Sequence, residues 1–285
     1  MSSNQISAEI GIIGGTGSDV ELEDAKDYKI YTPYGDTSDL ITIGNFGEKK
    51  VAFLPRHGKG HRIPPHMLNF RANIWAMKSL GVSRIFSPSA VGSLQEEWDK
   101  GDFLVIDQYI DRTKGREDTF YSGGNVCHIS QADPFCPELS EIFYKTGKDL
   151  GIKINNGGTY VCINGPRFST RAESNVFRQW GGDVIGMTCY PEVVLAAEQE
   201  ICYTTIAMIT DMDVWAAECG ECGVVPYDHK CGAGEANPMA VSIEEIVETM
   251  TQNAKNLKKL LNKAIPQIPT ERSCNCGNSL QGAII

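Results

Sequence analysis

Two carboxylates at the end of an apolar run have the spacing that acid–base chemistry needs. Asp211 and Asp213 lie in the segment AMITDMDVW at positions i and i+2, so both point to the same side of an extended chain. Two neighbouring carboxylates raise the pKa of one member, which a general acid needs at neutral pH. A helix cap or a turn would use the same residues, and both interpretations stay open at this point.

A basic pair ends a second apolar run. Arg56 and His57 follow the run KVAFLP and begin the segment RHGKGHRIPPH. Arg56 can hold an oxyanion through two parallel hydrogen bonds, and His57 can donate another beside it. Open α/β sheets bind their ligands at strand ends, which favours an anion site over a solvated basic turn.

A glycine cluster follows the first apolar run, in EIGIIGGTGS at residues 9–18. Glycine allows the backbone to approach a phosphate closely. The cluster lacks the third glycine of a dinucleotide fingerprint, and no P-loop lysine follows it. Thr16, which lies between two glycines, therefore suits one small oxyanion, although a plain tight turn would explain the same residues.

Further strand ends carry small hydroxyl, amide, aromatic and thioether groups. These residues are Ser89, Ala90, Phe168, Ser169, Met187 and Thr188. A flat aromatic ring and a soft thioether, on Phe168 and Met187, can form the walls that hold a nucleobase and a sugar. The same two side chains would equally suit an ordinary hydrophobic core.

Hydrophobic periodicity predicts the elements that must position these residues. Apolar runs too continuous for half-exposed strands occur at 10–14, 50–55, 84–92, 103–107, 159–163, 183–187 and 204–210. Helical patterns occupy 66–80, 169–180 and 241–261. The first follows Pro64 and Pro65 and stops at Gly81, and Ser242 with Glu245 fits a capping box at the start of the last. Strands that alternate with helices predict an α/β fold.

Composition excludes several classes of protein. The chain has 285 residues, 41% hydrophobic and 22% charged, as in an ordinary globular protein. Because we find no repeat or linker, we expect residues 1–285 to form a single domain. A net charge of −10 argues against a nucleic-acid partner. No apolar run is long enough for a membrane span and the start does not resemble a signal peptide, so we expect a cytoplasmic protein without membrane contact.

Together these segments resemble the trimeric purine nucleoside phosphorylase family, in particular its methylthioadenosine phosphorylase branch. The resemblance rests on GIIGGTGS, PRHGKGHRIPPHMLNFRANIWAMKSLGV, SAVGSL, GDFLVIDQYIDRT, CHISQADPFC, GPRFSTRAES, GMTCYPEVVLAAE and IAMITDMDVW, in that order. It runs from about Ile10 to Val247 and covers most of the chain. By this resemblance, we expect a single-domain nucleoside phosphorylase-like α/β fold with a mixed central β-sheet flanked by helices.

The resemblance also implies a set of site residues. The phosphate-binding residues would be Thr16, Arg56, His57, Ala90 and Thr188. The nucleoside-binding residues would be Phe168, Ser169, Met187, Asp211, Asp213, Ile243 and Ile246, with His128 reaching the site of a neighbouring subunit. Asp211 and Asp213 would be catalytic. Sharing of a site between subunits implies a homotrimer or a dimer of trimers, with orthophosphate as co-substrate and with no metal or organic cofactor.

The implied reaction is phosphorolysis of 5′-methylthioadenosine to adenine and 5-methylthioribose 1-phosphate. A protonated Asp211 would give its proton to N7 of the purine while bound phosphate attacks the sugar. In this family an aspartate at this position goes with 6-aminopurines, and Ile243 and Ile246 would face the 5′ substituent. The alternative is a purine nucleoside phosphorylase that acts on adenosine, inosine or methylthioinosine. A dinucleotide-dependent oxidoreductase and a non-catalytic purine-binding protein fit the residues less well.

Residues 216–240 depart from the family pattern and form a cysteine-rich insert, expected as a loop. Four potential metal ligands in it, at spacings that a zinc knuckle uses, are Cys219, Cys222, His229 and Cys231. A flexible lid with incidental or disulfide-forming cysteines is the alternative. Residues 266–285 form the C-terminal tail, where Cys274 and Cys276 are either a strained local disulfide or redox pair, or ordinary tail residues.

Overall fold

The computed structural model describes residues 6–15, 18, 20–231, 234–239 and 242–285, with the backbone alone at 231, 234 and 235. Its strands are β1 (Ile10–Gly14), β2 (Glu23–Tyr28), β3 (Ile41–Phe46), β4 (Lys49–Pro55), β5 (Arg84–Phe86), β6 (Ser89–Ser93), β7 (Phe103–Val105), β8 (Gln108–Arg112), β9 (Ile154–Asn156), β10 (Thr159–Ile163), β11 (Val184–Gly186), β12 (Cys202–Thr204), β13 (Ile206–Met212), β14 (Ala216–Cys219), β15 (Gly223–Pro226), β16 (Lys230–Cys231), β17 (Gly234–Glu235) and β18 (Asn237–Pro238). Its helices are α1 (Phe70–Ser79), α2 (Pro137–Asp149), α3 (Arg171–Gln179), α4 (Cys189–Glu198) and α5 (Ile243–Ala264).

Two mixed sheets position the site. The six-stranded sheet has the order β12-β5-β1-β4-β3-β2, and the seven-stranded sheet has the order β8-β10-β11-β6-β13-β7-β9. In the first, β4 is parallel to β1 and antiparallel to β3. In the second, β13 is parallel to β6 and antiparallel to β7. The expected mixed α/β architecture is confirmed, although strands β1 to β13 form two mixed sheets rather than one central sheet.

Burial explains why the apolar runs are continuous. All residues of β1 and β13 are buried, and both strands are covered on each face, as their lack of alternation predicted. Helix α5 packs against β13, and α1 packs against α4. Within the described residues, no helix has both the length and the apolar character needed to cross a membrane.

The run at 84–92 forms two strands, β5 and β6, and the helix expected over 66–80 begins only at Phe70. Its N-cap is Asn69, whose side chain accepts a hydrogen bond from the Ala72 N–H. Pro65 instead begins a short 3₁₀ turn over Pro65–Met67. The prolines therefore belong to the turn before the helix, because the Asn69 side chain caps the first helical turn better than they can.

Two helices, α2 and α4, were not predicted from the sequence. Helix α2 begins at Pro137 and buries Leu139 and Phe143 on one side, so its signal was the N-terminal proline and helical spacing. Helix α4 is apolar around most of its circumference, and such a short apolar segment cannot be told from a strand by periodicity.

Capping of the other helices differs in detail. Thr170 and Glu173 form a complete capping box at the start of α3. At the start of α5, Ser242 accepts from the Glu245 N–H at 3.4 Å. The Glu245 carboxylate, however, accepts from Lys100 at 2.9 Å, so the predicted box is replaced in part by an ion pair.

The insert and the tail both have defined structure. Residues 216–240, expected as a loop, carry the short strands β14 to β18. In the tail, the carbonyl groups of Thr270 and Glu271 accept hydrogen bonds from the buried Arg84 guanidinium. Ile284 forms a β-bridge with Cys127. The division into one domain with an insert and a tail stays a prediction.

Candidate active site

A pocket lies where several strands end, and it gathers most of the predicted site residues. Those that line it are Arg56, His57, Ala90, Phe168, Ser169, Met187, Thr188, Asp211, Asp213, Ile243 and Ile246. They come from the ends of β4, β11 and β13, from β6, from the start of α5 and from the segment before α3. Residues far apart in the sequence therefore meet where the end of β4 in the six-stranded sheet approaches β6, β11 and β13 in the seven-stranded sheet.

Arg56 is held in a buried ion pair at one end of the pocket. Its side chain is 1% exposed and that of Glu192 is 0% exposed, with Nε 2.6 Å from a Glu192 carboxylate oxygen. Its Nη2 donates to the Ser87 hydroxyl at 2.5 Å and to the Ile13 carbonyl at 2.9 Å. Burial opposes the charge of Arg56, but Glu192, together with the nearby Tyr203 and Tyr160, outweighs that effect, so the pKa of Arg56 is raised. The guanidinium is thus permanently charged and fixed.

The ion pair limits how Arg56 can hold a ligand. The Nε and Nη2 edge, expected to grip an oxyanion, faces Glu192 instead. Nη1 donates to the Pro88 carbonyl at 3.3 Å and lies beside Gly15, where a Cβ would be 2.9 Å from it. Gly15 also lines the pocket. Arg56 therefore reaches the pocket through Nη1, and glycine at position 15 leaves room for it.

His57 is neutral and has a defined tautomer. Burial, followed by the charge of Arg56, lowers the pKa of His57 to about 4. Its Nδ1 lies 2.8 Å from the Ile63 carbonyl oxygen. A carbonyl can only accept, so Nδ1 carries the proton and Nε2 is an acceptor. His57 was expected to donate to an oxyanion, but in this tautomer its Nε2 would accept a hydrogen bond from a protonated phosphate oxygen.

Other predicted phosphate ligands flank this pair. Thr188 is the N-cap residue of α4, yet its side chain makes no capping hydrogen bond, so its hydroxyl is directed elsewhere. Ala90 lies in β6 and lines the same pocket. Thr16 lies outside the described residues. Ser18 donates through both its N–H and its hydroxyl to the Gly15 carbonyl, at 3.3 and 2.5 Å, which fixes the start of the glycine loop.

Asp211 lies toward the other end of the pocket, because it pairs with Gly92 near the end of β6, whereas Arg56 contacts Ser87 and Pro88 just before that strand begins. Burial is the main cause that raises its pKa to about 6, and the neighbouring Asp213 charge adds to the rise. The sequence predicted the rise but attributed it to the second carboxylate. Its Oδ1 lies 2.7 Å from the Thr210 hydroxyl. A Cβ at position 92 would lie 3.1 Å from Oδ2, so glycine there leaves space around the acid.

Asp213 is held by a hydroxyl from α3. Its Oδ2 accepts from the Ser174 hydroxyl at 2.5 Å, and burial raises the pKa of Asp213. Ser174 was not predicted as a site residue, although its place four residues after the cap Thr170 puts it on the inner face of α3. The buried Ser169 hydroxyl lies near the Asp213 carboxylate and, like Ser174, opposes the rise in its pKa.

Apolar side chains form the walls between the two ends. Phe168 is 40% exposed and Ile243 is 61% exposed, so both lie at the mouth of the pocket. Residues missed by sequence reasoning also line it, among them Gly15, His61, Pro65, Val91, Gly92, Ile163, Ile185, Thr210 and Met250. Met250 had a signal, because it lies one helical turn after Ile246.

His128 does not line the pocket of its own chain. It is exposed, and its N–H donates to the Ala283 carbonyl at 2.8 Å, beside the C-terminal end. The prediction that it reaches a neighbouring subunit's site stays a prediction.

Among the residues that the structure describes, two groups of metal-ligating side chains lie outside the residues that line the pocket. One joins four cysteines, Cys136, Cys202, Cys274 and Cys276. The other joins Cys219, Cys222 and His229 of the insert. In the first group, the sulfur atoms of Cys202 and Cys274 are 3.4 Å apart, which ties the C-terminal tail to β12.

The fold and the pocket together define a class of protein. A fixed guanidinium at one end and a carboxyl group with a pKa raised to about 6 at the other suit an enzyme that joins an anion to a substrate as a basic group leaves. Comparison with known proteins gives the family. The family model described as phosphorylase superfamily matches residues 9–266, and the chain belongs to this superfamily.

Individual relatives are similar over nearly their full length. The S-methyl-5′-thioadenosine phosphorylase of Thermofilum pendens is 50% identical over 279 residues, which cover 97% of this chain and 98% of the relative. That of Nitrosopumilus maritimus is 50% identical, covering 96% and 97%. A crystal structure of methylthioadenosine phosphorylase from an antarctic soil metagenomic library has a TM-score of 0.86 at 40% identity, covering 98% and 93%. The Schistosoma mansoni enzyme in complex with tubercidin has a TM-score of 0.81 at 34% identity, covering 93% of each chain.

Proposed function

We propose that the chain catalyses the phosphorolysis of S-methyl-5′-thioadenosine to adenine and 5-methylthioribose 1-phosphate in this pocket. The observation that carries the proposal is the placement of a buried, charged Arg56 and a buried Asp211 of raised pKa at opposite ends of one pocket. Relatives that are 49–50% identical over nearly the whole chain bear the name of this activity.

Orthophosphate would bind at the Arg56 end. Nη1 of Arg56 would donate to one phosphate oxygen, and the Thr188 hydroxyl and the Ala90 N–H would donate to others. Thr16 would complete the set from the glycine loop. The net charge of the protein is −10, so local donors must supply the attraction for the anion. Phosphate is the co-substrate of the family, and we propose that the chemistry needs no metal or organic cofactor.

At the other end, Asp211 would act as the acid. The C1′–N9 bond breaks, its electron pair leaves with the purine, and a phosphate oxygen forms the new bond to C1′. Positive charge develops on the sugar, where the bound phosphate stabilises it, and negative charge develops on the purine, where Asp211 gives its proton to N7. Solvent returns a proton to Asp211 before the next turnover.

The same residues favour an adenine base and an apolar 5′ group. A carboxyl oxygen accepts a hydrogen bond from a 6-amino group, whereas it would face the lone pairs of a 6-oxo group. Ile243 and Ile246 offer an apolar wall that suits a methylthio group better than a free hydroxyl. The second candidate is a purine nucleoside phosphorylase acting on adenosine, inosine or methylthioinosine, which the acceptor oxygens of Asp211 disfavour.

Incubation of the purified protein with methylthioadenosine, adenosine and inosine, each with and without orthophosphate, tests the proposal. We expect adenine and a sugar 1-phosphate only when phosphate is present, with methylthioadenosine cleaved best. Base release that persists without phosphate would indicate a hydrolase. A preference for inosine would instead support the 6-oxopurine alternative.

We also propose a homotrimer in which His128 completes the site of a neighbouring subunit. His128 is exposed and does not line the pocket of its own chain, so it is available to a neighbouring subunit, which supports this arrangement. Light scattering measures the assembly and separates a trimer from a dimer of trimers. Mixing His128→Ala with Asp211→Asn subunits tests the sharing, because mixed trimers then contain some intact sites and should regain activity. Equal activity before and after mixing would contradict it.

A further inference from the structure

The insert between Asp213 and α5 holds metal-ligating side chains that the proposed reaction does not use. Cys219, Cys222 and His229 each bring one sulfur or ring nitrogen atom to within 4.8 Å of the others. We propose that these residues, together with Cys231, bind a structural zinc ion that holds the insert together.

The backbone explains why the two thiols meet. Cys219 ends β14, Gly223 begins β15, and the two residues are partners in the antiparallel register. Gly223 has a φ of +75°, a conformation that glycine adopts at little cost. The chain thus turns back over residues 220–222, and Cys222 comes close to Cys219. A C-x₂-C pair on a tight turn is typical of structural zinc sites.

His229 is brought to the same place by a second turn. Its N–H donates to the Pro226 carbonyl at 2.9 Å, which returns the chain to the hairpin. Nε2 of His229 is buried and lacks a hydrogen-bond partner among the residues described by the structure. A buried ring nitrogen without a partner costs free energy, and a metal ion would bind it.

Cys231 is assigned from the sequence and the backbone alone, because its side chain lies outside the described part of the structure. It follows His229 by two residues and lies in β16, which pairs with β17. Three thiolates and one imidazole form a closed tetrahedral set that suits zinc. Thiolates around zinc lie about 3.8 Å apart, given Zn–S bonds of about 2.3 Å. The ligand atoms now lie within 4.8 Å of one another. Zinc binding would therefore bring them closer by about 1 Å at most, which side-chain rotation allows.

The insert has a small apolar cluster of its own. The cluster that the structure describes there comprises Ala217, Cys219, Val225 and Ala236, with Tyr227 packed against it. So few small side chains bury little apolar surface, and a bound metal ion would add to their stabilisation. Four acidic residues and one basic residue at 216–240 also favour a bound cation.

Elemental analysis of the full-length protein tests the proposal, with cells grown in added zinc and purification without chelator. We expect about one zinc per chain that survives dialysis against a mild chelator. Cys222→Ser removes an exposed thiol and should reduce the zinc to under about a tenth of an equivalent. Cys276→Ser is the matched control in the other cysteine group and should keep the zinc.

Several results would overturn the proposal. One is a zinc content below a tenth of an equivalent in the wild type. The others are retention of zinc in Cys222→Ser and loss of zinc in Cys276→Ser alone. A Cys219–Cys222 disulfide, found by mass spectrometry of the protein as purified, would overturn it as well. Cobalt substitution gives a second readout, because a tetrahedral cobalt–thiolate site absorbs in the visible. That absorption should appear in the wild type and disappear in Cys222→Ser.

Discussion

The two ends of the pocket differ in whether a buried charged group has an oppositely charged partner in contact. At one end, Arg56 keeps its charge because the carboxylate of Glu192, also fully buried, lies 2.6 Å away. At the other end, Asp211 and Asp213 accept hydrogen bonds from neutral groups, which are hydroxyls and, for Asp213, also the Val214 N–H, and burial raises the pKa of both. A charge compensated within the protein is fixed, whereas a carboxyl group without a cation in contact holds a proton that it can give away.

This difference assigns a separate task to each end. A fixed cation binds an anion equally before and during reaction, so it acts mainly on the affinity for phosphate. A carboxyl group that changes its protonation state acts in the transition state. Variants at the two ends should therefore change different kinetic constants.

The largest effect is expected from Asp211→Asn, which keeps the shape of the acid and removes its transferable proton. We expect kcat/KM for methylthioadenosine to fall about 100- to 10,000-fold, the usual contribution of a general acid. Relative activity on methylthioinosine should rise, because the new amide can donate to a 6-oxo group. Steady-state kinetics with both nucleosides measure these effects. Asp149→Asn, at an exposed position, is the control, and turnover near that of the wild type would remove Asp211 from the acid role.

The next largest effect is expected from Glu192→Gln, which leaves Arg56 without its compensating charge. Breaking a buried pair costs about 3–5 kcal/mol of stability. Since Glu192 also orients the guanidinium, we expect the KM for phosphate to rise about 10- to 100-fold, the equivalent of one charged hydrogen bond. The KM for the nucleoside should change far less. Kinetics with each substrate varied in turn, together with denaturant unfolding, measure both effects.

Glu198→Gln is the matched control for that experiment. Glu198 lies on the same helix, is buried, and accepts hydrogen bonds from Thr119 and Phe120 rather than from a pocket residue. It should lose stability while it keeps the KM for phosphate. An equal rise in that KM in both variants would mean that Glu192 acts only through the fold.

A smaller effect is expected from pH. The protonated form of Asp211 is the active one, and its pKa is about 6, so kcat/KM for the nucleoside at saturating phosphate should be level below pH 6. Above the pKa it should fall up to about tenfold per pH unit, because deprotonation removes the acid. His57, whose pKa is about 4, is neutral across this range and adds no further step.

Thr210→Val tests whether the pH profile reports the titration of Asp211. The Thr210 hydroxyl stabilises the ionised form of Asp211 and lowers its pKa. Its removal should move the midpoint of the pH profile upward. A midpoint that moves downward, or stays in place, would show that the profile reports another group.

Sequence patterns predicted the strand ends and the side chains on them because burial on both faces leaves continuous apolar runs. They could not predict what holds those side chains. Glu192 lies 136 residues from Arg56, so only the fold brings the two together. It also lies in α4, a helix whose apolar sequence gives no helical periodicity. Likewise, the proton on His57 is placed by the Ile63 carbonyl, a contact made by backbone geometry rather than by residue type.

The smallest effect is expected at the apolar wall of Ile243 and Ile246, which is proposed to face the 5′ substituent of the nucleoside. Ile246→Ala should lower the preference for methylthioadenosine over adenosine about fourfold or more, since each buried methylene contributes ~0.8 kcal/mol. The KM for phosphate and the midpoint of the pH profile should stay unchanged, because the Ile246 side chain has neither charge nor hydrogen-bonding groups. Val247→Ala is the control, on the next residue of the helix and outside the pocket lining. An equal loss of preference in the control would place the selecting wall elsewhere and leave α5 with a role in packing alone.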